Sequence, residues 1–438
     1  MMGSFKSGLA WLLFASGMGG AEAIIRGVNL GGWLVTEPWM TPSLFNATAT
    51  EDEWHLCNVL GKQQCLQTLQ QHWSTFYTRD DFVQIKAAGL TGVRVGLGYW
   101  AVDLLDYEPY VSGQYPYLIQ AVQWCKELGL TVFIDLHGAP GSQNGWEETG
   151  LVGAIGFPDN QSNADRTLHV LRNLTTEFQK PIYGGVVTNI EPLNEPIFAD
   201  AQLKAFYTQA ANVIIASNTS GVNFTYHDAF YNPPPWKNYD PNNVNAVVPA
   251  ARTTLDTHQF WAFPPLTNLT TTQILERICQ YAQTMDPANS HIPPTLVGEW
   301  SLSTGYTANS TTDASQDQAK RTWFRTLFEA QNAAYTPNGP NQASIGWYFW
   351  AWKTEYDIDA WSFRKGIQYQ YIPSNVSNMS TYAFPILDNG CINTNFSYTA
   401  PASSNASGTS TSSAFGLSAT QWLQPGLAVA MVGLVGLL

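Results

Sequence analysis

Short β-branched, apolar runs alternate with longer amphipathic stretches between residues 24 and 350 of this chain. Ile24–Val28, Gly92–Leu97, Thr131–Leu136, Gly185–Ile190, Val222–Tyr226, Thr253–His258, Thr295–Val297 and Ile345–Phe349 read as strands. Between them Phe82–Ala88, Tyr117–Leu128, Ala164–Phe178, Ala201–Ala216, Thr271–Met285 and Gln316–Gln331 carry apolar residues at the helical period. Gly89, Gly129 and Gly184 stand just before strands, where a glycine ends a helix. Eight strands with intervening helices predict an α/β protein, a (β/α)8 TIM barrel. No internal repeat is visible and no linker precedes residue 399, so a single domain over residues 24–398 is expected.

Composition narrows the setting. Charged residues make up 12% of the chain, about half the usual share of roughly 25%. Trp reaches 17 and aromatics 13%, a composition suited to an extracellular protein with a large core and aromatic platforms for sugars. A formal net charge of −13 with no basic run argues against nucleic acid or an anionic membrane surface as partner.

Both ends carry targeting features. Lys6, the apolar stretch Leu9 to Phe14 and Ala21-Glu22-Ala23 form a secretory signal over residues 1–23, too short to span a bilayer. Residues 399–421 are rich in Ser, Thr, Ala and Gly, and Trp422 to Leu438 is apolar without a charge. A stop-transfer helix would be followed by Lys or Arg, so residues 399–438 fit a glycolipid (GPI) anchor signal better. The attachment site is expected between Ser403 and Ser413, with Asn405, Ser407 and Gly408 the best candidates. The eleven Asn-x-Ser/Thr sequons, among them Asn46, Asn173, Asn223, Asn268 and Asn309, suit a secreted glycoprotein. The membrane enters only through that anchor, and a monomer is expected.

Five cysteines in an oxidising compartment leave one over. Cys57 and Cys65 are close enough to close a small loop, and Cys279 with Cys391 would tie a late helix to the chain's end. Cys125, on the apolar side of a helix, is the expected free thiol. No Cys/His spacing suggests a metal site, and no cofactor is called for.

The chemistry gathers at the strand ends. Asn194-Glu195-Pro196 follows the fourth strand and Gly298-Glu299-Trp300 ends the seventh, at the rim where barrels of this kind keep their active sites. Two carboxylates facing one another there are what glycosidic-bond cleavage requires, about 5–5.5 Å apart in a retaining enzyme. One must be an acid of raised pKa, the other a nucleophile kept ionised by donors. Arg94 closes the second strand, His137 the third and His258 the sixth, and they can supply those donors. Trp350, at the tip of the eighth strand, is placed to stack under a sugar ring.

Several long motifs then carry a resemblance. Arg26-Gly27-Val28-Asn29-Leu30-Gly31-Gly32-Trp33, Glu37-Pro38, Thr41-Pro42-Ser43-Leu44-Phe45, the stretch from Asp135-Leu136-His137 to Gln143-Asn144-Gly145, His227-Asp228-Ala229-Phe230 and Trp352-Lys353-Thr354-Glu355 are similar to the fungal exo-β-1,3-glucanases of glycoside hydrolase family five. The similarity runs from about residue 24 to Cys391. It implies a retaining mechanism with Glu195 as acid/base and Glu299 as nucleophile. It also implies sugar contacts from Glu37, Arg94, His137, Asn194, His258 and Trp350. Trp146 and Phe263 match the family's aromatic clamp for the next glucose, and a Cys279–Cys391 bridge is implied as well. Two departures stand out. The family's His-x-Tyr, whose tyrosine donates to the nucleophile, is here His258-Gln259-Phe260. The segment from Ser301 to Ser315 is short and Ser/Thr-rich where relatives carry a long loop.

The expected activity is therefore release of glucose from cell-wall β-1,3-glucan. Another β-glucoside on the same barrel (β-1,6-glucan, a glucosylated lipid or sterol) or glucosyl transfer to a sugar is the alternative within the class. A catalytically weak wall-glucan-binding protein, marked by Phe260, is the alternative outside it.

Overall fold

The computed structural model describes residues 24–216, 221–241, 252–285, 291–308, 312–337 and 342–402. The signal segment, the attachment sites and apolar tail of the anchor signal, and Asn309 lie outside them. Eight parallel strands close into a barrel in sequence order. They are β1 (Ile25–Asn29), β2 (Gly92–Gly98), β3 (Thr131–Gly138), β4 (Val187–Glu191), β5 (Asn223–His227), β6 (Thr253–Trp261), β7 (Thr295–Thr304) and β8 (Ser344–Phe349). The ring is completed by the pairing of β8 with β1, Gly27 opposite Tyr348. Every predicted strand is present, because a buried parallel strand needs little more than a short apolar run between turns.

Period-2 geometry sorts each strand into an outer and an inner face. Val28, Val93, Val95, Val297 and Phe349 belong to the large apolar layer under the helices. Phe133, Leu296 and Tyr348 form a separate cluster, the floor of the barrel's interior. Above that floor the inner face turns polar. On β3 the alternating residues are Phe133, Asp135 and His137, all buried, so one strand carries an apolar floor, a buried acid and a rim histidine in succession.

Four expectations need correction. Helix Glu53–Thr75 is absent from the sequence reading; Gly61 inside it adopts φ +73°, which breaks the apolar period, and Cys57 and Cys65 are bridged across the break. Strand β7, expected to end at Val297, continues through Thr304 and into a short helix, Gly305–Ala308. Gly184 ends a 3-10 turn, Pro181–Tyr183, and not the preceding helix. Arg94 lies well inside β2, with no exposed surface, and does not close it. Cys279 and Cys391 are bridged, and Cys125 is buried and free.

Candidate active site

Arg94 stands on the ring of Phe133, its guanidinium carbon 5.2 Å from the ring centre. From there it reaches five strands. Its Nη1 donates to Oε1 of Glu299 at 2.6 Å and to Oδ1 of Asn29 at 3.1 Å. Its Nη2 donates to Oε2 of Glu191 at 3.0 Å and Oδ1 of Asn194 at 2.9 Å. Asp135 lies 3.3 Å away and Asp256 3.7 Å. These carboxylates cannot all be charged beside one cation. Burial pushes the Asp135 carboxyl up, but Arg94 and His137 outweigh it and hold it below the usual range. Burial and Asp256 push the Glu191 carboxyl well above its ordinary value, which favours its protonated form. Asp135, Glu191 and Asp256 were not singled out from sequence. The available signal was an acid two residues before His137, one two before His258, and one directly after the apolar run that precedes Glu195.

Glu299 faces the lumen because of a bulge. Leu296 points inward, and strict alternation would turn Gly298 inward and Glu299 out toward the helices. Thr257 pairs with Val297 and His258 with Glu299, so Gly298 is an extra residue on β7, and one extra residue reverses the side-chain parity beyond it. Trp300 accordingly packs outward on Phe328 and Tyr335. The bulged peptide is satisfied by side chains: Gly298 N donates to Asp256 Oδ1 at 2.7 Å, and Asn29 Nδ2 donates to Gly298 O at 2.8 Å. A Cβ on Gly298 would lie 2.1 Å from Asp256 Oδ2, so only glycine fits.

The two glutamates meet at one imidazole. His258 Nδ1 is 2.5 Å from Glu195 Oε1 and 3.6 Å from Glu299 Oε2. Oxygens held at those distances from one nitrogen are at most about 6 Å apart, closer than the roughly 6.5–9.5 Å of an inverting pair. Burial pulls the His258 pKa down, but Glu299, Glu195 and Asp256 together raise it well above the ordinary value. Burial raises the Glu299 carboxyl, against the pull of His258 and Arg94. Glu195 sits four residues past the end of β4 with φ +48°.

The walls are aromatic. The ring of His137 stacks on Trp350, 5.5 Å apart and 5° from parallel, while its Nδ1 lies 2.5 Å from Asp135 Oδ2. Glu37 accepts from Trp39 Nε1 at 2.8 Å. From Trp39 the rings continue through Trp361 at 5.1 Å and Phe260 at 5.5 Å to Phe263 at 5.9 Å. Trp146 packs instead on Phe230, at 5.9 Å. The two expected clamp residues thus pack on different rings, and Phe230 and Trp361 are aromatic neighbours that sequence reasoning did not assign to the site. A cation has one candidate site here: Glu195, His227 and His258 each offer a ligand atom, all within 4.8 Å of one another. Two of the three are already engaged: His258 Nδ1 lies 2.5 Å from Glu195 Oε1, and His227 Nδ1 accepts from Ala229 N at 3.0 Å.

Comparison with known proteins agrees with this geometry. The family described as "Cellulase (glycosyl hydrolase family 5)" matches residues 57–355. The chain is 37% identical over 369 residues to "Probable glucan 1,3-beta-glucosidase A" of Aspergillus fumigatus, covering 76% of this chain and 84% of that one. It is 34% identical over 400 residues to "Glucan 1,3-beta-glucosidase 2" of Wickerhamomyces anomalus, covering 81% and 88%. Its fold is similar to that of a rutinosidase from Aspergillus niger, with a TM-score of 0.66 at 21% identity over 80% of this chain and 98% of that one. With the family match spanning most of the barrel and the paired glutamates at its mouth, the chain belongs to glycosyl hydrolase family 5.

Proposed function

We propose that this protein is a retaining β-glucosidase that releases glucose from the ends of cell-wall β-1,3-glucan. The observation that carries the reading is the pair of glutamates converging on His258 Nδ1, one of them also held by Arg94. In this reading Glu299 attacks the anomeric carbon while Glu195 gives its proton to the departing oxygen, leaving a glucosyl ester. Glu195 then takes a proton from water, which displaces Glu299 and returns both groups to their starting states. Asn194, its Oδ1 held by Arg94 and its Nδ2 without a partner, is oriented to donate to a hydroxyl beside the reacting carbon. Glu37, His137 and Trp350 line the same pocket, and Trp146 and Phe263 receive the leaving-side glucose.

The same proposal places the enzyme outside the cell, monomeric, glycosylated and held by a glycolipid after loss of residues 1–23 and of the C-terminal tail. Two disulfides suit an oxidising compartment. Among the described residues no helix is long and apolar enough to cross a membrane. Incubation with laminarin tests the activity: the first product should be glucose in the β configuration. Early oligosaccharides or α-glucose would overturn end-wise release or retention respectively.

A further inference from the structure

Glu195 occupies a left-handed backbone conformation, φ +48°, which a residue with a side chain adopts only when its surroundings impose it. The surroundings here are two consecutive side-chain amides on the loop after β3. Gln143, fully buried, donates from Nε2 to the carbonyls of His137 at 2.7 Å and Asn194 at 2.9 Å, and its Oε1 accepts from Ala139 N at 3.1 Å. Asn144, 3% exposed, donates from Nδ2 to the carbonyl of Glu195 at 3.1 Å and to Oε1 of Glu148 at 2.7 Å. Its Oδ1 accepts from Trp146 N at 2.9 Å. Two neighbouring amides therefore hold two neighbouring carbonyls of the loop that carries Glu195. One further bond, Ile197 N to Gln143 O at 3.3 Å, closes the bracket on the far side of Glu195.

We infer that Gln143 and Asn144 are positioning residues for the acid/base: they hold the Asn194–Glu195 backbone so that the Glu195 carboxyl stays beside His258 and over the departing oxygen. The inference rests on the proposed roles of Glu195 and Glu299. Neither amide needs to touch substrate. A backbone amide offered to these carbonyls would serve as well sterically, but no main-chain N–H of the β3 loop reaches the Glu195 carbonyl among the bonds described. Asn144 also joins Trp146 and Glu148 to the same carbonyl, so the leaving-side wall and the acid/base loop share one anchor.

A misplaced acid has a signature that general loosening lacks. Poor leaving groups need the proton and good ones do not, so the loss must depend on the leaving group. Asn144→Ala removes the anchor; Asn144→Asp keeps size and the acceptor for Trp146 N but replaces the donor with an oxygen that repels the Glu195 carbonyl. Both variants should lose on the order of 100-fold in kcat/KM on laminaribiose and less than about tenfold on 2,4-dinitrophenyl β-glucoside, whose phenolate leaves unaided. Rates are referred to sites titrated with 2,4-dinitrophenyl 2-deoxy-2-fluoro-β-glucoside, which counts only folded enzyme. Equal losses on the two substrates, or none, would overturn the positioning role. A wild-type protein inert toward every β-glucoside would overturn the underlying reading with it.

Discussion

Nη1 of Arg94 lies 2.6 Å from Oε1 of Glu299, a buried ion pair that crosses the barrel from β2 to β7. Because Arg94 also faces Asp135 and Glu191, removing it leaves several buried carboxyl groups without their shared guanidinium. Arg94→Met should lower unfolding stability by about 3–5 kcal/mol and abolish activity, read by urea denaturation and turnover. A loss below about 1 kcal/mol would show that water enters and solvates the acids.

The two glutamates should fail differently. Glu299→Ala cannot form the glucosyl ester, so activity vanishes even with activated substrates. Glu195→Ala still forms it from such substrates, and azide should restore turnover by attacking the intermediate, with β-glucosyl azide as product. That product from the Glu299 variant instead would exchange the roles.

Trp146 packs on Phe230 and Phe263 on Phe260, and in the proposed function the two receive the leaving-side glucose. Trp146→Ala and Phe263→Ala should each weaken laminari-oligosaccharide use by about 1 kcal/mol, roughly fivefold, and leave aryl glucosides nearly unaffected. Parallel losses on both substrate types would remove the clamp.

Phe260 packs its ring against Trp361 and Phe263 and has no hydroxyl for the nucleophile. In the proposed mechanism Glu299 acts in its ionised form, and its pKa is raised by burial, so kcat/KM should fall as pH drops through that raised value. Phe260→Tyr offers the ionised form a donor, which should move the acidic limb to lower pH. An unmoved limb in the kcat/KM profile would show that position 260 does not tune Glu299.

Glu53 links stability to pH away from the catalytic residues. Buried, and accepting from Thr36 and Trp100, it has its pKa raised by burial to about 7. A carboxyl raised in the folded state stabilises fully below its unfolded pKa and loses that contribution as pH rises through the folded one. Unfolding free energy should therefore fall between about pH 4.5 and pH 7, and Glu53→Gln should flatten that part of the curve. An unchanged slope in the variant would assign the dependence to other groups.

The sequence by itself determined the strand order, the barrel and the two glutamates at its mouth, because apolar runs and strand-end residues are local features. It also made His137, His258 and Trp350 visible at the rim for the same reason. Helix Glu53–Thr75 escaped because one left-handed glycine breaks the period on which such a reading depends. What faces what was decided only by closure of the barrel. The bulge at Gly298 turns Glu299 inward, and it depends on the register between β6 and β7 and on Asp256 and Asn29 from distant parts of the chain. The partners of Arg94 come from β1, β3, β4, β6 and β7, and the upward push on the Glu191 carboxyl follows from its burial and from Asp256 beside it. Charge in a low-dielectric interior depends on neighbours brought together from across the chain, and no local pattern encodes them.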